Sequence, residues 1–125
     1  MRVFIAAFIL TMTGCATVPP PAEIEAGDVP TAGELAAAIQ KELRRTLKDY
    51  DSVKDFELIE GPTNAHAIYG MGGVERLWFA CARFNAKNSY GGYTGLKNYP
   101  MYFRRVQGDV IHVAPIGWRS VSRTC

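Results

Sequence analysis

Residues 74–86, VERLWFACARFNA, decide the fold of this chain. The stretch alternates with period two and is apolar on both faces: Leu77, Phe79 and Cys81 on one, Trp78, Ala80, Ala82 and Phe84 on the other. A strand with two apolar faces is covered on both sides, which indicates the middle of a sheet. The sequence therefore predicts a central strand that holds Cys81.

An amphipathic helix is predicted before this strand, over residues 33–50. Thr31-Ala32-Gly33-Glu34 has the spacing of a capping box, in which the two side chains bond free backbone donors at a helix start. Apolar side chains then recur on one stripe, formed by Leu35, Ile39, Leu43, Leu47 and Tyr50. We expect this stripe to pack on the domain's own sheet. The alternative is a helix that lies on a membrane surface, but such helices often insert aromatic side chains, whereas this stripe is mainly aliphatic.

Further strands are predicted on both sides of the central one. One strand is predicted over residues 51–60, DSVKDFELIE, and is expected to stop at Gly61-Pro62. Residues 65–69 are expected to form another short strand. Residues 101–106 and 110–114 are strand runs joined by a hairpin turn, in which Gly108 can take a positive φ. The pattern predicts an α+β domain, with one N-terminal amphipathic helix packed on a mostly antiparallel sheet of four to five strands.

The chain begins with the layout of a secretory signal peptide: Arg2, an apolar run from Val3 to Leu10, and small residues before Cys15. The run is shorter than the roughly 20 residues of a membrane-spanning helix. Met12-Thr13-Gly14-Cys15 resembles a bacterial lipobox, in which the peptide is cut before a cysteine that receives a lipid. A plain signal peptide that happens to contain a cysteine is the alternative.

The lipobox resemblance implies that residues 1–14 are a lipoprotein signal peptide and that Cys15 is the lipid attachment site. The mature cysteine then carries diacylglycerol and an N-acyl chain such as palmitate, which anchors the protein in a membrane. Ala16 follows the cysteine, and a residue other than aspartate there implies transfer to the outer membrane. The expected location is the cell envelope, lipid-anchored in the outer membrane and facing the periplasm, with surface exposure left open.

A tether is predicted between the lipid and the domain. Residues 16–30 combine four prolines with three carboxylates, a composition that stays extended and solvated. We therefore divide the chain into a signal peptide at 1–14, the lipidated cysteine and Pro-rich tether at 15–30, and a single small domain at 31–125.

Cys81 and Cys125 remain as an even pair in an oxidising compartment, which favours a disulfide. Such a bond closes a loop of about 44 residues and stabilises by roughly 4 kcal/mol in the chain-entropy model. Two free thiols are the alternative.

Charge is divided unevenly along the chain. Residues 16–60 hold five cations and ten anions, whereas residues 61–125 hold eight cations and two anions. An exported chain rarely meets nucleic acid, so no nucleic-acid partner is expected. The candidate partners of the basic half are anionic lipid headgroups, anionic envelope polymers or an acidic protein. Alternatively, the acidic half packs on the basic half and neutralises it.

The sequence offers little for catalysis. Cys81 lies mid-strand among apolar residues, where a thiol is inert, and a nucleophilic role requires His66 or His112 beside it. Neither zinc-ligand spacing nor a phosphate-binding glycine loop occurs. We predict no enzyme, no catalytic residue, no metal and no cofactor; an activity based on Cys81 requires a thiol that reacts with an alkylating agent.

Residues 85–95, NAKNSYGGYTG, form the most distinctive run, here called the tyrosine loop. In a structural interpretation, its asparagines and glycines provide the caps and backbone angles of a tight connection. In a functional interpretation it is a contact loop, in which Lys87, Asn88, Tyr90 and Tyr93 stack on and hydrogen-bond to a sugar or a peptide.

The chain resembles a set of small uncharacterised bacterial envelope proteins and lipoproteins that share an NAKNxxGGYxG motif. Their pattern begins with an aspartate, a serine three residues later and then a K/R-F pair, and continues with V/A-C-x-x-V/F-N-A-K-N-x-x-G-G-Y-x-G. It falls here on Asp49, Ser52, Phe56, Cys81, Phe84, Asn85, Ala86, Lys87, Asn88, Gly91, Gly92, Tyr93 and Gly95. Asp55 stands where a cation is usual, so the first half of the pattern is imperfect. The resemblance implies no activity.

Two functions follow as hypotheses. The first is a non-enzymatic, membrane-anchored envelope lipoprotein that acts as a protein-interaction module in the periplasm. The second is a lipoprotein that binds a glycan, either peptidoglycan or lipopolysaccharide.

Overall fold

A computed structural model describes residues 23–125; the predicted signal peptide, Cys15 and the first part of the tether lie outside the described residues. The elements are β1 (Glu23–Ile24), α1 (Ala32–Thr46), a 3-10 turn (Tyr50–Ser52), β2 (Lys54–Tyr69), β3 (Val74–Asn85), β4 (Lys97–Val106), β5 (Asp109–His112) and β6 (Trp118–Val121). The predicted α+β class is confirmed.

The sheet has the order β5-β4-β3-β2-β6, and all neighbours in this order are antiparallel. β3 lies in the middle, as its two apolar faces predict. The sheet has six strands in the described residues, more than the four to five expected, because β1 and β6 are too short to show a period-two pattern.

β2 runs through the position at which the sequence predicts a stop. The predicted break at Gly61-Pro62 is wrong, since β2 continues past it with register shifts on both sides of Glu60. Gly61 has φ +117°, and a Cβ built there would lie 2.6 Å from the carbonyl oxygen of Phe79. The glycine therefore lets an irregular strand pass close to β3 instead of ending it.

The first face of the sheet is covered by α1. Both bonds of the predicted capping box are present: Glu34 N donates to Thr31 Oγ1, and Thr31 N donates to the Glu34 carboxylate. Three residues of the predicted stripe are buried against the sheet residues of this face: Leu35, Ile39 and Leu43 against Ala80, Ala82, Phe84, Met101 and Phe103. The small alanines of β3 leave room for the helix above the sheet.

The second face is covered by the C-terminal segment. Leu77, Phe79 and Tyr102 pack there with Val113, Trp118 and Val121. The predicted disulfide between Cys81 and Cys125 is present, with 6.0 Å between the two Cα atoms. It fastens the last described residue to the middle of β3.

Residues 23–30, which composition assigns to the tether, lie on the sheet. β4 pairs with β3 from Trp78 onwards only, and β1 pairs in parallel with the beginning of β3, at Val74 and Glu75. Arg105 N donates to Ala26 O at 2.8 Å, and Trp78 Nε1 donates to Gly27 O at 3.1 Å. Residues 23–30 therefore bond the backbone of β4 and a side chain of β3, so the folded unit begins before Thr31.

Candidate functional site

The tyrosine loop connects the end of β3 to β4, so it lies at the end of the sheet that we call the loop end. At the opposite end, called the β1 end, lie β1, the turn between β2 and β3, and the start of β6. The sequence-predicted contact residues all belong to the loop end.

The backbone of the tyrosine loop is held by its own asparagines. Asn88 Oδ1 accepts from Tyr90 N at 2.9 Å and from Gly92 N at 3.1 Å. Asn85 Oδ1 accepts from Gly95 N at 3.0 Å, and Gly91 and Gly95 take positive φ angles. Both amide oxygens are thus engaged within the loop, as the structural interpretation expects.

Ser52 fastens the base of the tyrosine loop. Its buried hydroxyl donates to Asp49 O at 2.7 Å and accepts from Lys87 N at 3.0 Å. Asp49 and Ser52 precede β2, whereas Lys87 belongs to the tyrosine loop that follows β3. The two segments, separated by about 30 residues in sequence, therefore meet in one hydrogen-bonded junction.

Two lysines share one ring at the loop end. Lys54 Nζ lies 3.9 Å from the centroid of the Tyr93 ring, and Lys87 Nζ lies 5.5 Å from it. Neither ammonium forms an ion pair with any residue of 23–125. The attraction of a cation to an aromatic face thus keeps both ammonium groups at one ring without a carboxylate.

Tyr90 lies at the tip of the tyrosine loop, and its side chain is 97% exposed. It adds an exposed aromatic ring to the same loop that carries Lys87 and Tyr93. Of the four predicted contact residues, Lys87, Tyr90 and Tyr93 thus present side-chain groups to solvent, whereas the carbonyl oxygen of Asn88 is used inside the loop.

Lys54 is the member of this group that the sequence does not reveal. It lies far from the tyrosine loop along the chain and reaches it because β2 pairs Lys54 with Asn85. Finding it from sequence requires the register of β2, which the irregularities near Glu57 and Glu60 obscure.

Most of the basic half of the chain is neutralised by carboxylates. Four of its arginines pair with the acidic half: Arg76 with Glu23, Arg83 with Glu57, Arg105 with Glu34 and Arg123 with Glu60. Arg104 pairs with Glu75. Within the described region, Lys87, Lys97 and Arg119 are the cations of this half that make no ion pair, and two of them belong to the loop end or its adjoining strand.

Glu75 forms a buried cluster on the second face. Its side chain is buried, Oε2 accepts from Tyr69 Oη at 2.6 Å, and Oε1 lies 3.0 Å from Arg104 Nη1. The hydrogen bond with the carboxylate raises the pKa of Tyr69. The carboxylate of Glu75 is thus engaged by two side chains of the fold, a pairing that no local sequence pattern indicates.

Cys81 and His112, which the sequence analysis considered for catalysis, are both engaged in contacts within the fold. Cys81 is in the disulfide, so it has no thiol to ionise. His112 lies edge-on to Phe103 and 3.4 Å from Glu42 Oε1, and burial lowers its pKa. Residues 23–125 contain no group of three side chains that could hold a metal ion, and no helix there is long and apolar enough to cross a membrane.

Comparison with known proteins adds no relative: no family model matches the chain, and neither the curated proteins nor the solved structures contain a match. The loop end, with Lys54, Lys87, Tyr90 and Tyr93, is therefore taken as the candidate site on its geometry.

Proposed function

We propose that this chain is a membrane-anchored envelope lipoprotein without enzymatic activity, which binds a protein partner in the periplasm. Lipid on Cys15 anchors it, in the outer membrane, and the domain carries its N-terminal helix on the sheet as a rigid support. The loop end is the contact surface.

The observation that carries the proposal is the pair of ammonium groups on Tyr93. Elsewhere in the described region, four arginines of the basic half pair with carboxylates of the acidic half. Lys54 and Lys87 are instead exposed and lie over the ring of Tyr93, in or beside the loop whose tip carries the exposed Tyr90. Aromatic rings and cations at an exposed loop are suited to binding an acidic protein surface. The rings of the loop supply apolar contact, and its charges orient the partner.

The second candidate function is glycan binding, which the exposed ring of Tyr90 favours because sugars stack on flat aromatic faces. A sugar also needs many hydrogen bonds. The amide oxygens of Asn85 and Asn88 are already engaged within the loop, so fewer acceptors remain for hydroxyl groups. This ranks a protein partner first.

The test is affinity capture of the full lipidated chain from detergent-solubilised envelopes. We expect Lys87→Glu combined with Tyr93→Ala to lose at least about 90% of a specific partner, because each change removes one half of the contact. Lys41→Glu, the same charge change on exposed α1, is the matched control and should retain it. The proposal fails if the loop variant retains every partner that the unaltered chain captures.

Sedimentation with purified sacculi separates the two functions. Peptidoglycan binding predicts that the chain sediments at low salt and that Tyr90→Ala releases it, whereas a protein-binding module stays in the supernatant.

A further inference from the structure

The β1 end of the domain carries apolar side chains that nothing in the described part of the chain covers. Met71 is 99% exposed and Ile116 is 80% exposed. Only Tyr90, at the opposite end, belongs with them among the most exposed large apolar side chains of residues 23–125. Two of the three thus lie far from the proposed contact surface.

Met71 and Ile116 approach the same point of the fold. Met71 is in the turn between β2 and β3, which Gly72 N closes by donating to Tyr69 O at 2.9 Å. Ile116 precedes Gly117, whose Cβ position lies 3.7 Å from the ring of Tyr69, and Trp118, which pairs with Tyr69 across the sheet. Met71 and Ile116 are therefore each two residues from the Tyr69–Trp118 pair, at the same end of the sheet.

The path of the chain brings this end towards the anchor. β1 places Glu23 opposite Val74, beside the same turn. Cys15 precedes Glu23 by eight residues, and eight residues cannot reach further than about 28 Å. β3 has 12 residues, so the tyrosine loop lies about 40 Å further on.

Arg119 gives the β1 end one cation that can meet a lipid headgroup. It follows Trp118, is exposed, and makes no ion pair with a described residue, whereas Arg76 at the same end pairs with Glu23 and Glu25. Apolar side chains next to a free cation are the composition with which peripheral segments enter the headgroup region of an anionic bilayer.

We infer that the β1 end rests on the bilayer, with Met71 and Ile116 in the interfacial region and Arg119 among anionic headgroups. The domain then stands upright on the membrane and holds the tyrosine loop away from it. This inference rests on the proposed lipid anchor at Cys15, and it goes beyond it by giving the domain one orientation and a second membrane contact.

The experiment places a nitroxide label on the full lipidated chain in vesicles of phosphatidylethanolamine and phosphatidylglycerol. Cys81 and Cys125 are bridged, and the lipid occupies the sulfur of Cys15 in the lipidated chain. Each labelled variant therefore has one free thiol, introduced by Met71→Cys, Ile116→Cys or Tyr90→Cys. The Tyr90→Cys variant is the distal control. Peptide mapping checks that Cys81–Cys125 persists in each variant. Power saturation then compares collisions with oxygen, which concentrates in lipid, and with a water-soluble nickel chelate.

We expect the labels at positions 71 and 116 to collide at least about three times more with oxygen, relative to the chelate, than the label at position 90. Arg119→Glu should reduce this ratio at position 71, while Lys41→Glu should leave it unchanged. Equal ratios at all three positions in a lipidated protein overturn the inference and leave the anchor standing. Mass spectrometry that finds Cys15 unmodified overturns both proposals.

Discussion

Glu75 is the residue whose environment differs most from what its position suggests. It belongs to a strand that reads as apolar on both faces, and its carboxylate is buried beside Arg104 and Tyr69. Burying a carboxylate costs desolvation free energy, which its hydrogen-bond and charge partners must offset. The importance of the pair for stability is therefore measured by removing one partner of Glu75.

We expect Arg104→Met to lower the free energy of unfolding by about 3 kcal/mol, because it keeps most of the side-chain volume and leaves a buried carboxylate without its counter-charge. Glu57→Gln breaks the Arg83–Glu57 pair, in which both side chains are exposed, and should cost less than about 1 kcal/mol. Urea unfolding of both variants measures the difference. Equal losses would show that the buried pair has no special role.

Single residues of the candidate site were predictable to the extent that they are close in sequence. Lys87, Tyr90 and Tyr93 belong to one loop whose glycines and asparagines are visible in the sequence. Lys54 and Ser52 join the loop through contacts that depend on the register of β2 and on the turn before it. Such contacts follow from the tertiary fold, which no local pattern contains.

Among the elements, α1 shows how far local signals reach. Its start follows from the capping box, but the predicted extension to Tyr50 is wrong. The helix ends at Thr46, since Leu47 is extended with φ −86° and ψ 132°. Leu47 and Tyr50 still pack on the core, so they satisfy the apolar stripe without being helical. A stripe therefore predicts burial more securely than it predicts helix length.

The start of α1 gives a pH-dependent prediction. The hydrogen bond from Arg105, followed by that from the Thr31 backbone, lowers the pKa of Glu34 to about 2 from 4.5. Because the folded pKa lies below the unfolded one, the stabilisation is fully present above pH 4.5 and is lost as the pH falls towards 2.

We expect Glu34→Gln, which can still cap the helix, to be less stable than the unaltered protein at pH 7 and equally stable near pH 2. Unfolding midpoints in urea across this range measure the convergence. Glu25→Gln is the control, since its carboxylate approaches Arg76 no closer than 3.9 Å. A Glu34→Gln deficit that persists unchanged to pH 2 would contradict the ion-pair explanation.

At the scale of the whole molecule, a small domain is closed by its last residue. The C-terminal segment covers the second face, where Tyr102 Oη donates to Arg123 O at 2.7 Å, and the disulfide ties it to β3. The sequence predicted the bond from cysteine count and compartment, but the way this segment crosses the sheet required the structure.

Removing the disulfide should destabilise the molecule through the long loop that it closes. The sequence separation of 44 between the cysteines predicts a loss of about 4 kcal/mol for Cys81→Ala combined with Cys125→Ala. Thermal unfolding of the oxidised protein, the reduced protein and the double variant measures it. Reduction should lower the melting temperature of the unaltered protein and leave that of the double variant constant. A lower melting temperature of the double variant after reduction would contradict the assignment of the effect to this disulfide.

The position of β1 also determines how the molecule bears a mechanical load. With lipid on Cys15 and a partner on the tyrosine loop, tension enters at Glu23 and leaves at the far end of β3. β1 lies parallel to β3, so this force runs along the strands and strains their hydrogen bonds in shear. Bonds loaded in shear resist together, whereas bonds loaded in an unzipping direction break one after another. In the proposed lipid-anchored arrangement, β1 is thus the mechanical joint between bilayer and domain.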